Sequence, residues 1–131
     1  MLAPDIVELL TITVRAALDR KAFQVAVLDL TELTSFTDGF VICSGAHGRQ
    51  LGAIAEEVDR RLREAGRRPM HVEGAGESEW ILLDYGDFIV HLFTEDKRRY
   101  YALDALWGDA RRLVAGDLGP EVGADDLVPL P

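Results

Sequence analysis

With 131 residues, a formal net charge of −9 and a single cysteine, the chain has the length for one core of ordinary size. It is too acidic for broad contact with a phosphate backbone, so sequence-specific nucleic-acid binding is not expected. No apolar run approaches the roughly 18 residues a bilayer requires, and a lone cysteine excludes an internal disulfide framework.

The first residues, MLAPDIVELL, carry Asp5 and Glu8 and no basic residue before Arg15, which is not the pattern of a signal or transit peptide. A cytoplasmic protein is expected. Pro4 opens a helix that runs to about Arg20, with acids in its first turns where the dipole favours them. Ile6, Leu9, Leu10, Val14, Ala17 and Leu18 recur at helical spacing and give it one apolar face. Gln24 to Leu30 predicts a strand, Thr31 to Thr37 a hydroxyl-rich turn, and Gly39 to Ser44 a second strand carrying the Cys43 thiol into the core.

Gly48 to Ala65 predicts a long helix, closed by Gly66 and buried along Leu51, Ile54, Ala55, Val58 and Leu62. Pro69 opens a short strand through Val72, and Glu73-Gly74-Ala75-Gly76-Glu77 predicts a flexible acidic loop. Two apolar runs then flank Tyr85-Gly86-Asp87, a hairpin signal, and lead into a helix dense in aromatics. The expected domain covers residues 1–115. Four of the 23 acids fall after residue 115 among Gly and Pro, and 116–131 predicts a disordered acidic tail. The element order predicts an α/β (α+β) fold, a five-stranded mixed sheet flanked by helices.

The sequence carries no catalytic constellation. Ser44-Gly45 ahead of a helix, with Asp84 and Asp87 later, faintly resembles a nucleotidyltransferase arrangement. Two magnesium-binding acids on one strand face need a spacing of two. Asp84 and Asp87 are three apart across a turn, so they are expected to cap Gly86. His47, His71 and His91 show no zinc-ligand spacing, and the glycine-rich pieces match neither phosphate-loop fingerprint. His47 is expected to cap a helix, His91 to be a hydrogen-bonded core or edge residue, and Cys43 to be inert. No cofactor, metal or enzyme activity is expected.

The aromatics point to binding instead. Trp80, Tyr85, Tyr100, Tyr101 and Trp107, five of the ten Phe, Trp and Tyr residues, lie between residues 80 and 110. Such side chains suit surfaces with one buried and one exposed side. Glu73, Glu77, Glu79, Asp84 and Asp87 surround Trp80 with no Lys or Arg between Val72 and Phe88, an acidic rim suited to a basic protein.

The segments LDLTELTSFTDGFVICSG (28–45), RQLGAIAEEV (49–58), HVEG (71–74), WILLDYGDFIVHLF (80–93) and YYALDALWGDA (100–110), in this order, resemble the Iojap-like ribosomal silencing factors (RsfS). The resemblance covers about residues 5–112. It implies a nucleotidyltransferase-like topology without catalytic acids. It implies docking on the large ribosomal subunit through ribosomal protein uL-fourteen, which blocks joining of the small subunit and represses translation when nutrients are scarce. It also implies a homodimer when free, and, as an alternative role, large-subunit assembly through the same surface. Trp80, Leu82, Asp84, Tyr85, Lys97, Arg98 and Tyr100 are the expected contacts to the ribosomal protein. The chain departs from the family pattern at Gly39, where an aromatic is usual, at His47, where Ser is usual, and at Asp104, where Glu is usual.

Overall fold

A computed structural model describes residues 1–74 and 78–128 of the chain. Helix α1 (Pro4–Asp19) starts on its proline and buries Ile6, Leu9, Leu10, Val14 and Ala17. Strands β1 (Phe23–Asp29) and β2 (Gly39–Gly45) pair antiparallel, with a bulge at Gln24, whose φ is 51°. Helix α2 (Gly48–Glu64) is capped by His47, whose Nδ1 accepts from the Gln50 N–H at 3.2 Å, and ends before Gly66 at φ 87°. This is the capping role the sequence assigns to His47.

Strand β3 (His71–Glu73) leads to β4 (Trp80–Asp84) and β5 (Phe88–Thr94). Their turn uses Gly86 at φ 84°, with its N–H donating to the Asp84 carboxylate at 2.8 Å. The left-handed backbone there explains the glycine. Helices α3 (Glu95–Tyr101) and α4 (Leu103–Leu106) and strand β6 (Arg111–Arg112) follow.

The sheet order is β3-β4-β5-β2-β1-β6, with β2 and β5 parallel at the centre and every other pair antiparallel. Strand alternation divides the core in two. Val25, Val27, Val41, Cys43, Ile81, Leu83, Phe88, Val90 and Leu92 meet α1 and α2 on one face. Leu28, Leu30, Phe40, Ile42 and Phe93 form a smaller cluster on the other, beneath Trp80, Leu103 and Trp107. A buried carboxylate ties the helices together. Glu57 on α2 accepts from Arg60, Arg61 and the α1 cap residue Arg20, and Arg61 also reaches Asp19. Among the described residues no helix is long and apolar enough to cross a membrane.

Three expectations need correction. The sheet has six strands, because Arg111 and Arg112 pair with Asp29 and Leu28. Two consecutive arginines carry no apolar alternation, so this edge strand is invisible in sequence. The aromatic helix is two helices, broken where Ala102 turns left-handed at φ 50°. The acidic tail is an ordered strap as far as Val128. Leu118, Val122 and Leu127 are buried in the larger core, the Gly119 N–H donates to Thr11 Oγ1, and the Val128 N–H donates to the Val25 carbonyl. Its acids serve local turns, Asp117 and Asp126 accepting from the Val114 and Gly123 N–H groups at 2.8 Å. Three apolar anchors at irregular spacing give no period to read. Of the expected acidic loop, Ala75, Gly76 and Glu77 lie outside the described residues, as do residues 129–131.

Candidate docking face

The even positions of β4, Trp80, Leu82 and Asp84, point away from α1 and α2, while Ile81 and Leu83 are buried against them. Trp80 is half-buried. Its ring stacks on Phe93, its partner across the strands, with centroids 6.1 Å apart and planes within 5°. Tyr101 comes down from α3 onto the same indole at 5.5 Å, and Tyr100 meets Tyr101 edge-on at 5.1 Å. On the other side Phe93 lies parallel to His91 at 6.0 Å. His91 meets Phe40 edge-on at 4.7 Å, Phe40 meets Trp107 at 5.7 Å, and Trp107 meets Phe36 at 6.0 Å.

These contacts form one unbroken band of rings across the sheet, from Tyr100 to Phe36. Its floor is buried, but its ends are open. Tyr100 is 77% exposed and Phe36 57%, and Leu106 on α4 is 71% exposed. Large apolar side chains left in water are the kind of surface a protein partner can cover. Lys97 lies over the Tyr100 ring at 5.5 Å and puts a cation at this end of the band.

The structure gathers Trp80, Leu82, Asp84, Lys97 and Tyr100 on this side of the molecule and removes two expected contacts. Tyr85 is a core residue, 1% exposed, stacked on Phe88 at 5.0 Å, its phenol pKa raised by burial. It sits one position past Asp84, and a single residue reverses the face a strand presents. Arg98 is turned inward. It forms a two-pronged pair with Asp104 at 2.8 and 3.3 Å, and donates to Ser44 Oγ and the Gln24 carbonyl. Its side chain keeps 10% of its exposure. Sequence reasoning missed Phe36 and Leu106. The available signal for Phe36 was a lone large apolar residue in a Thr- and Ser-rich turn.

The acidic rim is softer than the sequence suggests, since folding brings cations to it. Glu79 faces Lys97 at 3.9 Å and Asp87 pairs with Arg67 at 3.1 Å, while Glu73 shares a hydrogen bond with its strand neighbour His71 at 2.9 Å. Glu77 lies outside the described residues.

The residues that resembled a phosphate and magnesium site are otherwise engaged. Ser44 is fully buried and donates to Gln24 Oε1 at 2.8 Å, and Asp84 caps Gly86. Among the described residues no cluster of three His, Cys, Asp or Glu side chains could hold a metal ion. Burial pushes the Cys43 thiol up to about 12, which keeps it protonated and unreactive. His91 is 6% exposed, and burial holds its ring at about 4, hence neutral at physiological pH. It lacks the hydrogen bond expected of it, since neither ring nitrogen has a partner among the described residues.

The family model described as "Ribosomal silencing factor during starvation" matches residues 3–127, strap included. The chain belongs to the ribosomal silencing factor (RsfS) family. It is 42% identical over 103 residues to the ribosomal silencing factor RsfS of Halalkalibacterium halodurans, covering 79% of this chain and 88% of the relative. It is 39% identical over 102 residues to that of Bacillus subtilis, covering 78% and 86%. The chloroplastic protein Iojap of Zea mays is 31% identical over 99 residues, 73% of this chain and 42% of that protein. A crystal structure of a Chromobacterium violaceum protein superposes with a TM-score of 0.74 at 34% identity, covering 88% of this chain and 92% of that one.

Proposed function

We propose that this chain binds the large ribosomal subunit through ribosomal protein uL-fourteen and represses translation by occupying surface that the small subunit needs. The aromatic band with its open ends carries this reading. It offers a large apolar patch and a half-buried tryptophan, with acids and one lysine at the margin, and the polar groups near it that resembled a reactive site are engaged inside the fold. Regulation by exclusion needs no chemistry. A competitor bound at the joining face makes the two complexes mutually exclusive. The names of the relatives, ribosomal silencing factors, support a regulatory protein rather than an enzyme. The free chain is a homodimer on this reading, the exposed band giving it a surface to cover, and it acts where cytoplasmic ribosomes work.

Sedimentation of purified subunits with added protein tests it. Expected is loss of the joined particle and co-sedimentation of the chain with the large subunit. Unchanged joining at saturating protein overturns the reading. If deletion in rich medium accumulates large-subunit precursors while joining is untouched, the surface serves assembly instead.

A further inference from the structure

Several polar groups at the footing of α3 are buried without a hydrogen-bond partner among the described residues. They are the Trp80 indole N–H, both ring nitrogens of His91 and the Thr94 hydroxyl. His91 is 6% exposed and Thr94 7%. Thr94 occupies the N-cap of α3, where a threonine oxygen ordinarily accepts from an N–H of the first turn, yet it makes no such bond. A buried donor or acceptor left unpaired costs folding free energy, so a group of them on one segment's margin marks a packing that can be improved.

A few side chains hold the segment. α3 and α4 contain no buried residue of their own. They join through Ala102, whose left-handed backbone is unfavourable for a residue with a Cβ. The apolar anchors are Tyr101 on Trp80 and Phe93, Leu103 on the smaller core cluster, and Trp107 on Phe40 and Phe36. Charged contacts do the rest, and Arg98 ties α3 to the sheet by donating to Ser44 Oγ and the Gln24 carbonyl. Asp104 lies between Arg98 at 2.8 Å and Arg112 at 3.3 Å, and so ties α3 and α4 to each other and to edge strand β6.

We infer that α3–α4, which carries Tyr100, Tyr101 and Trp107 of the aromatic band, is a movable cover over the Phe40, His91 and Phe93 part of it, kept in its resting packing by the contacts of Arg98 and Asp104. A docking protein meets a second packing, in which the Trp80 N–H and the Thr94 hydroxyl are paired. The sheet beneath stays fixed, because β2 and β5 are buried and paired on both sides. The occupant is the basic ribosomal protein of the proposed function, whose main-chain carbonyls supply acceptors for the indole. This inference rests on that reading for its partner but not for the cover itself.

Asp104→Asn in the full chain tests it. Expected is amide exchange across residues 95–107 about ten-fold faster than in the wild type, with β2 and β5 unchanged. Affinity for purified uL-fourteen should rise about three- to five-fold, since the resting packing no longer competes. Asp104→Glu, which restores the carboxylate, should return both to wild-type values. Unchanged exchange overturns the cover. Weaker binding by a folded Asp104→Asn chain also overturns it, because the Asp104 contacts then build a rigid platform. The wild type gives a measurement independent of any variant. Its two tryptophans give two indole N–H signals, and the one from Trp80 should shift downfield on adding uL-fourteen. A Trp80 signal unmoved at saturation overturns the second packing. Failure of the wild type to bind uL-fourteen at all removes the docking reading, while the exchange measurement still decides whether the cover moves.

Discussion

Leu82 on β4 stands directly opposite His91 on β5, and the pair marks the middle of the aromatic band. The imidazole is enclosed by Phe40 and Phe93 and held neutral, with Asp84 as the nearby charge that partly opposes the effect of burial. Its pKa of about 4 in the fold lies below the ordinary value of 6.5. The unfolded chain therefore binds the proton more readily between those values. Stability from neutral His91 is fully present above pH 6.5 and is lost as pH falls towards 4, by about 3 kcal/mol in all. Urea unfolding from pH 7 to 4.5 should show the decline. His91→Leu should flatten it.

Trp80→Ala should weaken binding to uL-fourteen by roughly 2 kcal/mol or more, as truncation of a central interface tryptophan does. Trp80→Phe keeps a ring over Phe93 and should lose less. A folded Trp80→Ala chain that still co-sediments with large subunits would place the docking surface elsewhere.

Glu57 should prove a stability residue with no part in docking, since it lies on α2, across the sheet from the band. Hydrogen bonds from Arg60 and Arg61 hold its carboxyl at about 2. The contribution is present above the ordinary carboxylate range and disappears as pH falls through about 2. Glu57→Ala should lower the melting temperature at neutral pH, leaving guanidinium groups close together without their shared acceptor. Binding by the folded fraction should equal that of the wild type.

The strap can be tested the same way. Leu118 is 9% exposed and sits in the larger core, so Leu118→Ala should cost about 2 kcal/mol in chemical unfolding. A disordered tail would tolerate the change at no cost.

Much of this architecture is legible from pattern. The faces of α1 and α2, the buried run of β2 and the turn at Gly86 follow from spacing and from a glycine that must adopt positive φ. What escaped depends on contacts distant in sequence. Arg98 reads as a surface cation because its partners, Gln24, Ser44 and Asp104, come from three other places in the chain. Tyr85 reads as a hairpin aromatic on the docking side because its facing depends on where the turn begins. The acids near Trp80 read as bare because Arg67 and Lys97 reach two of them only in the folded chain. The resemblance carried the family identity, whereas the residue-level docking assignment needed the sheet's two sides to be told apart.

The parallel junction of β2 with β5 brings residues 39–45 beside residues 88–94. During synthesis the first two strands therefore emerge well before the strand that completes the centre of the sheet, and α1 and α2 have only half a floor to rest on. Closing so long a loop is entropically slow, so native structure should arrive late and in a single step. Until residues 88–94 have been made, a nascent chain of this protein lacks the strand that completes the centre of its sheet.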